Sequence, residues 1–312
     1  MASFRTRTVL VVLAASAVLL SGCAPAPESS GEAEGSEYCA RMVTNSGGLE
    51  DRSFNQSSWE GLKLAEATTE HAAENPDLHF VIVDEVVEAD NVKPVVFDTA
   101  QAAFLAGYLA AGVTKTGVVG TFGGDSQPPV TLFMDGFVDG VAQYNSAHGT
   151  EVRVLGWNKE TQDGVFTGDY ENVTLGRTTT EGMLDQNADV ILPVAGQVGE
   201  GAAAAIKEHG SGSLIWVDND GYETLPAEFR GIVLTSILKN TQDAIVEIVG
   251  ADLDGDFSSE PFIGTLENGG VGIAPFHDLD GMVSAELQAE LEQLTQDIIS
   301  GTLEVTSPSS PR

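Results

Sequence analysis

The chain predicts an α/β fold in two lobes, each built on a largely parallel sheet, and three observations carry that prediction. Short β-branched runs alternate with helical segments along the whole chain, the rhythm of βαβ units. A body of about 275 residues is larger than one ordinary core serves. Two glycine-bearing crossovers, Lys115–Gly117 and Gly221–Gly231, suit hinges, which divides the chain into 38–115 plus 232–305 as one lobe and 116–231 as the other. A cleft then lies between the carboxyl edges of two sheets, where open α/β folds hold ligands and close over them.

The elements follow in order. Arg5 and Arg7 precede an apolar run from Val9 to Leu20 and then Leu20-Ser21-Gly22-Cys23, which reads as a leader over residues 1–22 that is too short to span a bilayer. A cleavage site ending at a cysteine resembles the bacterial lipobox, with a lipid thioether on Cys23. Residues 23–37, rich in Pro, Ser, Gly and Glu, read as a flexible linker. Strands are predicted at Tyr38–Thr44, His79–Asp84, Gly117–Phe122, Val152–Leu155, Asp189–Pro193, Leu214–Asp218 and Ile232–Ile237. Helices are predicted from Ser53, at Thr99–Val113, from Pro129 through Tyr144, and at Thr178–Gln186, Glu200–His209 and Asn240–Val249. Phe262–Ile273 reads as a glycine-turned hairpin, and Ser284–Ser300 as a last helix with Leu287, Leu291, Leu294 and Ile298 on one face.

Composition narrows the function classes. With Cys23 given to lipid, Cys39 is left without a disulfide partner, so stability rests on burial. Losing the leader removes two arginines and no acid, leaving 12 basic against 47 acidic residues, a net charge of −35. Such a surface repels phosphate backbones and anionic lipid, so nucleic acid is excluded as a partner. Gly117-Val-Val-Gly120-Thr-Phe-Gly123-Gly124 lacks the spacing of a dinucleotide fingerprint, and no phosphate-loop motif occurs. Gly123 and Gly124 either let backbone approach a ligand or turn the chain. Asp252-Leu-Asp254-Gly-Asp256 has its glycine misplaced for a calcium loop, the five histidines show no zinc spacing, and no nucleophile elbow is present. The chain therefore reads as a binding protein without metal, cofactor or catalytic chemistry.

The most informative stretch is Val43–Gly61, VTNSGGLEDRSFNQSSWEG. It joins a strand exit, a glycine turn and a helix capped by Ser53, and it puts Phe54 and Asn55 at the carboxyl edge of a sheet. Spacing alone favours the plainer reading, with Phe54 as a hydrophobic staple and Asn55 as a solvated helix start. Asp84 and Asp218-Asn219-Asp220 end predicted strands, where carboxylates accept hydrogen bonds from vicinal hydroxyls, and Lys239 follows another strand at a crossover. An aromatic, acids or amides and a cation at strand and helix ends make the chemistry of a nucleoside or sugar site.

These residues resemble the basic membrane protein family of bacterial solute-binding lipoproteins, through SGGLEDRSFNQSSWEG, NPDLHFVIVD, QAAFLAGYLAAGVTKTGVVGTFGG, FMDGFVDGV, NADVILPVAGQVGEGAA, LIWVDNDG, LTSILKN and ENGGVGIAPFHDLD in that order. The resemblance implies a type I periplasmic-binding-protein fold, a purine nucleoside as ligand and an ABC permease as partner. It further implies a base stacked by Phe54, polar contacts at Asn45, Asn55, Asp84 and Gly196, and a sugar held by Asp218 and Lys239. A second stacking aromatic is expected from Trp157, Phe166 or Tyr170. Alternative readings are a receptor of the same fold for a different hydroxylated solute such as a sugar and, from another class, a sensory or structural lipoprotein whose binding site has decayed. Two departures stand out. Asn45 follows Thr44 where the family carries an aspartate, and the helix from Ser53 runs past Glu70 into His71–Pro76 where members carry roughly fifty more residues, about two βα units. The N-terminal lobe is expected to be shortened accordingly.

Overall fold

A computed structural model of the chain describes residues 79–86 and 91–311. The predicted strand 38–44, the helix from Ser53, Cys23 and Cys39 lie outside them. Two sheets and a small hairpin make up the described strands. The smaller sheet has the order β1-β2-β10, from Phe80–Val83, Val92–Phe97 and Phe262–Gly264, all parallel. The larger has the order β11-β9-β8-β7-β3-β4, from Val271–Ile273, Val233–Lys239, Ser213–Asp218, Val190–Val194, Val118–Gly123 and Arg153–Leu155. It is parallel except for β11.

Period-two alternation in the larger sheet feeds two separate cores. Val118 and Phe122 of β3, Ile191 of β7 and Leu214 and Trp216 of β8 face one way, with Ile206 of α4 (Val198–His209) and Met183 of α3 (Val173–Leu184). Val119, Leu192, Ile215 and Val217 face the other way, toward α1 (Thr99–Val113), α2 (Pro128–His148) and α7 (Ala285–Ile299). α1 is buried almost throughout, between α2, α7 and the β9–β11 end of the sheet, which its small, Ala-rich sequence permits. At Gly140 a Cβ would stand 1.9 Å from the Phe104 carbonyl, and at Gly136 2.3 Å from that of Ala100, so the α1–α2 contact is backbone on backbone.

Two features depart from the sequence expectation. Phe262–Ile273 is no hairpin: β10 joins β2 in the small sheet and β11 joins β9 antiparallel in the large one, so the chain changes sheet inside that segment. A strand at Val92–Phe97 was not foreseen because it contains Pro94. Asn91 and Val95 offer their carbonyls to β1, which turns Pro94 away from that strand, and the β10 register starts only at Val95. The missing N–H therefore breaks no ladder. The two glycine-bearing crossovers are both joined to elements of the larger sheet. Thr114 Oγ1 and the backbone N–H groups of Lys115 and Thr116 are tied to Asp189 at 2.5, 2.7 and 3.2 Å, and residues 221–231 connect β8 to β9, which pair with each other. The chain leaves the small sheet after β2, and it returns in α6 (Thr241–Leu253), whose Glu247, Ile248 and Ala251 share a pocket with Lys93 and Phe262.

The acidic stretch that closes α6 and runs on beyond it is also less open than its composition suggests. Asp252 Oδ1 lies 2.5 Å from His79 Nδ1, and that imidazole stacks on Phe257 at 3.8 Å.

Candidate functional site

The chain order of the larger sheet reverses at β3. From it α2 leads outward to β4 on one side, while β7, β8 and β9 build the other. At such a reversal the loops after neighbouring strands run to opposite faces and leave a crevice at the carboxyl edge. Asp125 after β3 and Ala195–Gln197 after β7 line a cleft of about 950 Å³ there. Val83–Val86 and Phe97 from the small sheet line the same space, with Gln127–Val130 and Phe133 from the start of α2.

Lys239, at the end of β9, is the electrostatic centre of this cleft. Its side chain is only 3% exposed; its ammonium bonds the Asp84 carboxylate and stands 3.7 Å from Asp218 Oδ1. It also lies 5.5 Å above the Phe97 ring and 5.9 Å above that of Phe133. Burial by itself would lower the Lys239 pKa, but Asp84 and Asp218 together hold it above its ordinary value, so the group stays charged. Both acids adopt left-handed backbone, φ 62° at Asp84 and 67° at Asp218. The Asn219 N–H donates to the Val217 carbonyl at 2.8 Å, closing a tight turn about Asp218. Aspartate tolerates this conformation, and the turns end the strands abruptly, with their carboxylates at the cleft.

The opposite chemistry comes from Tyr170. Its ring lies on Gly124, where a Cβ would meet ring carbons at 2.3 and 2.6 Å, and beside Gly196, which has φ 55°. Its hydroxyl accepts the Asp125 N–H at 3.1 Å, and burial raises its pKa. The loop carrying it is pinned along the end of β3 by Gly123 N–H to Val165 O, Thr167 N–H to Gly123 O and Gly168 N–H to Gly124 O. Gly124 is thus bare for a side chain of the same chain. Gly124→Ala is expected to push the ring off its seat and to change tyrosine fluorescence and any stacking affinity. A parent-like near-ultraviolet spectrum and affinity would show the seat to be unimportant.

The structure brings Asp84, Tyr170, Gly196, Asp218 and Lys239 to one cleft. It places Trp157 elsewhere. That indole is 6% exposed and donates from Nε1 to Asp135 at 2.8 Å, while Phe166 packs edge-on against it at 5.8 Å and covers Gly123. Trp157 is core, because the β5–β6 hairpin (Trp157–Asn158 and Asp163–Gly164) folds back on α2, and the partly buried Phe166 packs against that core. Asn45, Phe54 and Asn55 lie outside the described residues. Asp125, Gln127, Phe97, Phe133 and Gln197 also line the cleft and were not singled out in advance. For Asp125 and Gln127 a signal existed, in their position between the Gly123–Gly124 strand end and the Pro128 helix start. Among the described residues no group of three or more His, Cys, Asp or Glu is arranged to hold a metal.

A family model described as Bmp, ABC transporter substrate-binding protein PnrA-like, matches residues 61–309. The chain belongs to that family. Relatives of this Bmp-family protein include the ABC transporter nucleoside-binding protein BmpA of Lactococcus lactis subsp. cremoris, 28% identical over 365 aligned positions that take in 97% of this chain and 99% of that one. Basic membrane protein A of Borreliella burgdorferi is 28% identical over 272 positions, 83% and 73% of the two chains. The 365-position alignment is longer than this 312-residue chain, so it includes positions held by the Lactococcus protein alone. Among solved structures, a solute-binding protein of an Aeropyrum pernix ABC transporter superposes with a TM-score of 0.70 at 22% identity, over 83% of this chain and 90% of that one. One from Conexibacter woesei gives 0.65 at 18%, over 85% and 97%. These likenesses show the fold, an α/β arrangement of the type I periplasmic-binding-protein kind. As a Bmp-family substrate-binding protein the chain serves a small-molecule ligand and a permease partner, and the family is not one of enzymes.

Proposed function

We propose that this protein is an extracytoplasmic receptor for purine nucleosides, anchored by lipid on Cys23, that closes over its ligand and delivers it to an ABC permease. One observation carries the reading: a tyrosine ring seated on Gly124 shares a cleft with the Asp84–Lys239–Asp218 cluster. A flat base needs the first and vicinal ribose hydroxyls need the second. Tyr170 takes the part of the second stacking aromatic, opposite Phe54, and the two lobes are the bodies built on the small and the large sheet. The passages after β2, after β9 and between β10 and β11 are their hinges. The printed name of the Lactococcus relative, nucleoside-binding protein, supports the same ligand class. No helix of the described residues is long and apolar enough to cross a membrane.

Calorimetric titration of the mature chain with adenosine, guanosine, inosine and ribose tests this. Heat from nucleosides and none from ribose is the expected result; ribose binding alone would favour a sugar receptor, and silence from all four would overturn the proposal. Tyr170→Ala should weaken nucleoside binding by about 1–3 kcal/mol, roughly 5- to 150-fold, the usual contribution of one aromatic stacked on a base.

A further inference from the structure

Residues 302–311, which follow α7, do not leave the body. Leu303 and Val305 pack on the core between α1, α2 and α7, and the chain then runs along α2 toward the cleft. Three fastenings hold it in sequence. Lys159 Nζ, paired with Asp139 at 2.5 Å, donates to the Thr306 carbonyl at the same distance. Ser307 Oγ donates to Asp135 Oδ2 at 2.6 Å and itself accepts the Ser309 N–H at 3.0 Å. Ser309 Oγ lies 2.9 Å from Thr131 Oγ1. Beyond these points Ser309 and Pro311 line the same cleft as Tyr170 and Lys239.

Asp135 is the anchor. It is fully buried, and its carboxylate accepts from Trp157 Nε1 at 2.8 Å, from Gln162 Nε2 at 2.9 and 3.2 Å, and from Ser307. Two of these donors belong to the β5–β6 hairpin and the third to the segment after α7. One buried charge thus joins three parts of the chain that are remote in sequence. A charged acceptor makes stronger and shorter bonds than a neutral one, so the Ser307 contact is a true latch rather than a surface touch.

We propose that residues 306–311 form a strap that walls one side of the ligand cleft, with Asp135 and Ser307 as the positioning residues that hold it and Ser309 as a wall residue. This rests on the receptor reading, because a wall matters only where a ligand sits. A wall that packs against the bound ligand stabilises the complex, so its loss should appear mainly in the dissociation rate, where most affinity differences within one site lie.

The test compares the mature chain with Ser307→Ala and Ser307→Thr, using the nucleoside that the parent binds best. Ser307→Ala should raise the Kd about tenfold, chiefly through faster dissociation, while Ser307→Thr, which keeps the hydroxyl, stays within about twofold of the parent. Amide exchange at Ser309 should quicken in the alanine variant alone. If the parent binds and Ser307→Ala binds equally well, the strap is overturned and the receptor reading stands. A parent silent to every nucleoside overturns the receptor reading and the wall together. Should Ser307→Ala fail to fold, exchange in the parent decides: added protection of residues 308–311 on binding supports the strap, and unchanged protection sinks it.

Discussion

Lys239→Met is expected to abolish nucleoside binding and to lower stability by about 3–5 kcal/mol, the usual cost of removing one partner from a buried ion pair. The substitution keeps the length of the side chain and its contacts with Phe97 and Phe133, so the loss isolates the charge. What remains is two carboxylates, 19% and 13% exposed, without the cation that lies between them. Burial, the strongest influence on Asp84, then raises its carboxyl with no lysine to offset it. A group whose folded pKa exceeds its unfolded one favours the folded state more as pH falls. The deficit relative to the parent should therefore shrink between pH 8 and pH 5, which urea unfolding at the two values measures. A variant that binds nucleoside normally, or whose deficit is the same at both pH values, would remove Lys239 from the centre of the site.

Gly140→Ala is expected to cost about 3 kcal/mol, at the upper end for adding one methyl to a packed interior. The new methyl would lie 1.9 Å from the Phe104 carbonyl and 2.7 Å from the Tyr108 nitrogen. Both are helix backbone, which has no rotamer to escape into, so α1 and α2 must separate. Since α2 begins with the Gln127–Val130 wall of the cleft, the strain should also weaken ligand binding. Gly182→Ala is the control. It lies in α3 with nothing within 4 Å of the added methyl, and helix propensity predicts a gain of roughly 0.5–1 kcal/mol. Opposite signs for the two substitutions in chemical denaturation are the result expected; equal and small effects would mean that the helix pair tolerates separation.

Much of the fold was legible because its signals are local. Runs such as Leu214–Asp218 and Val190–Val194 are apolar on both faces, as strands buried from both sides must be, and the helices between them carry their own starts and stops. Asp84, Asp218 and Lys239 were legible as cleft positions for the same reason: in a parallel sheet the end of an apolar run is the carboxyl edge. Pro94 hid a strand because its harmlessness depends on which neighbour its nitrogen faces and where that neighbour's register starts. The segment 262–273 looked like a hairpin because proximity in sequence favours pairing, while the actual partners of β10 and β11 are β2 and β9.

The amino-acid order alone determined the family, the α/β class and the chemical character of the cleft, since each is written in residue types at strand and helix ends. Tertiary structure decided the rest. It brought Tyr170, and neither Trp157 nor Phe166, to the lining of the cleft, and it brought Ser309 and Pro311 to the same place. Those outcomes depend on contacts between residues far apart in the chain: Tyr170 with Gly124, Trp157 with Asp135, Ser307 with Asp135. A loop with no periodicity carries no record of what it will pack against, and only the closing of the core assigns its partners.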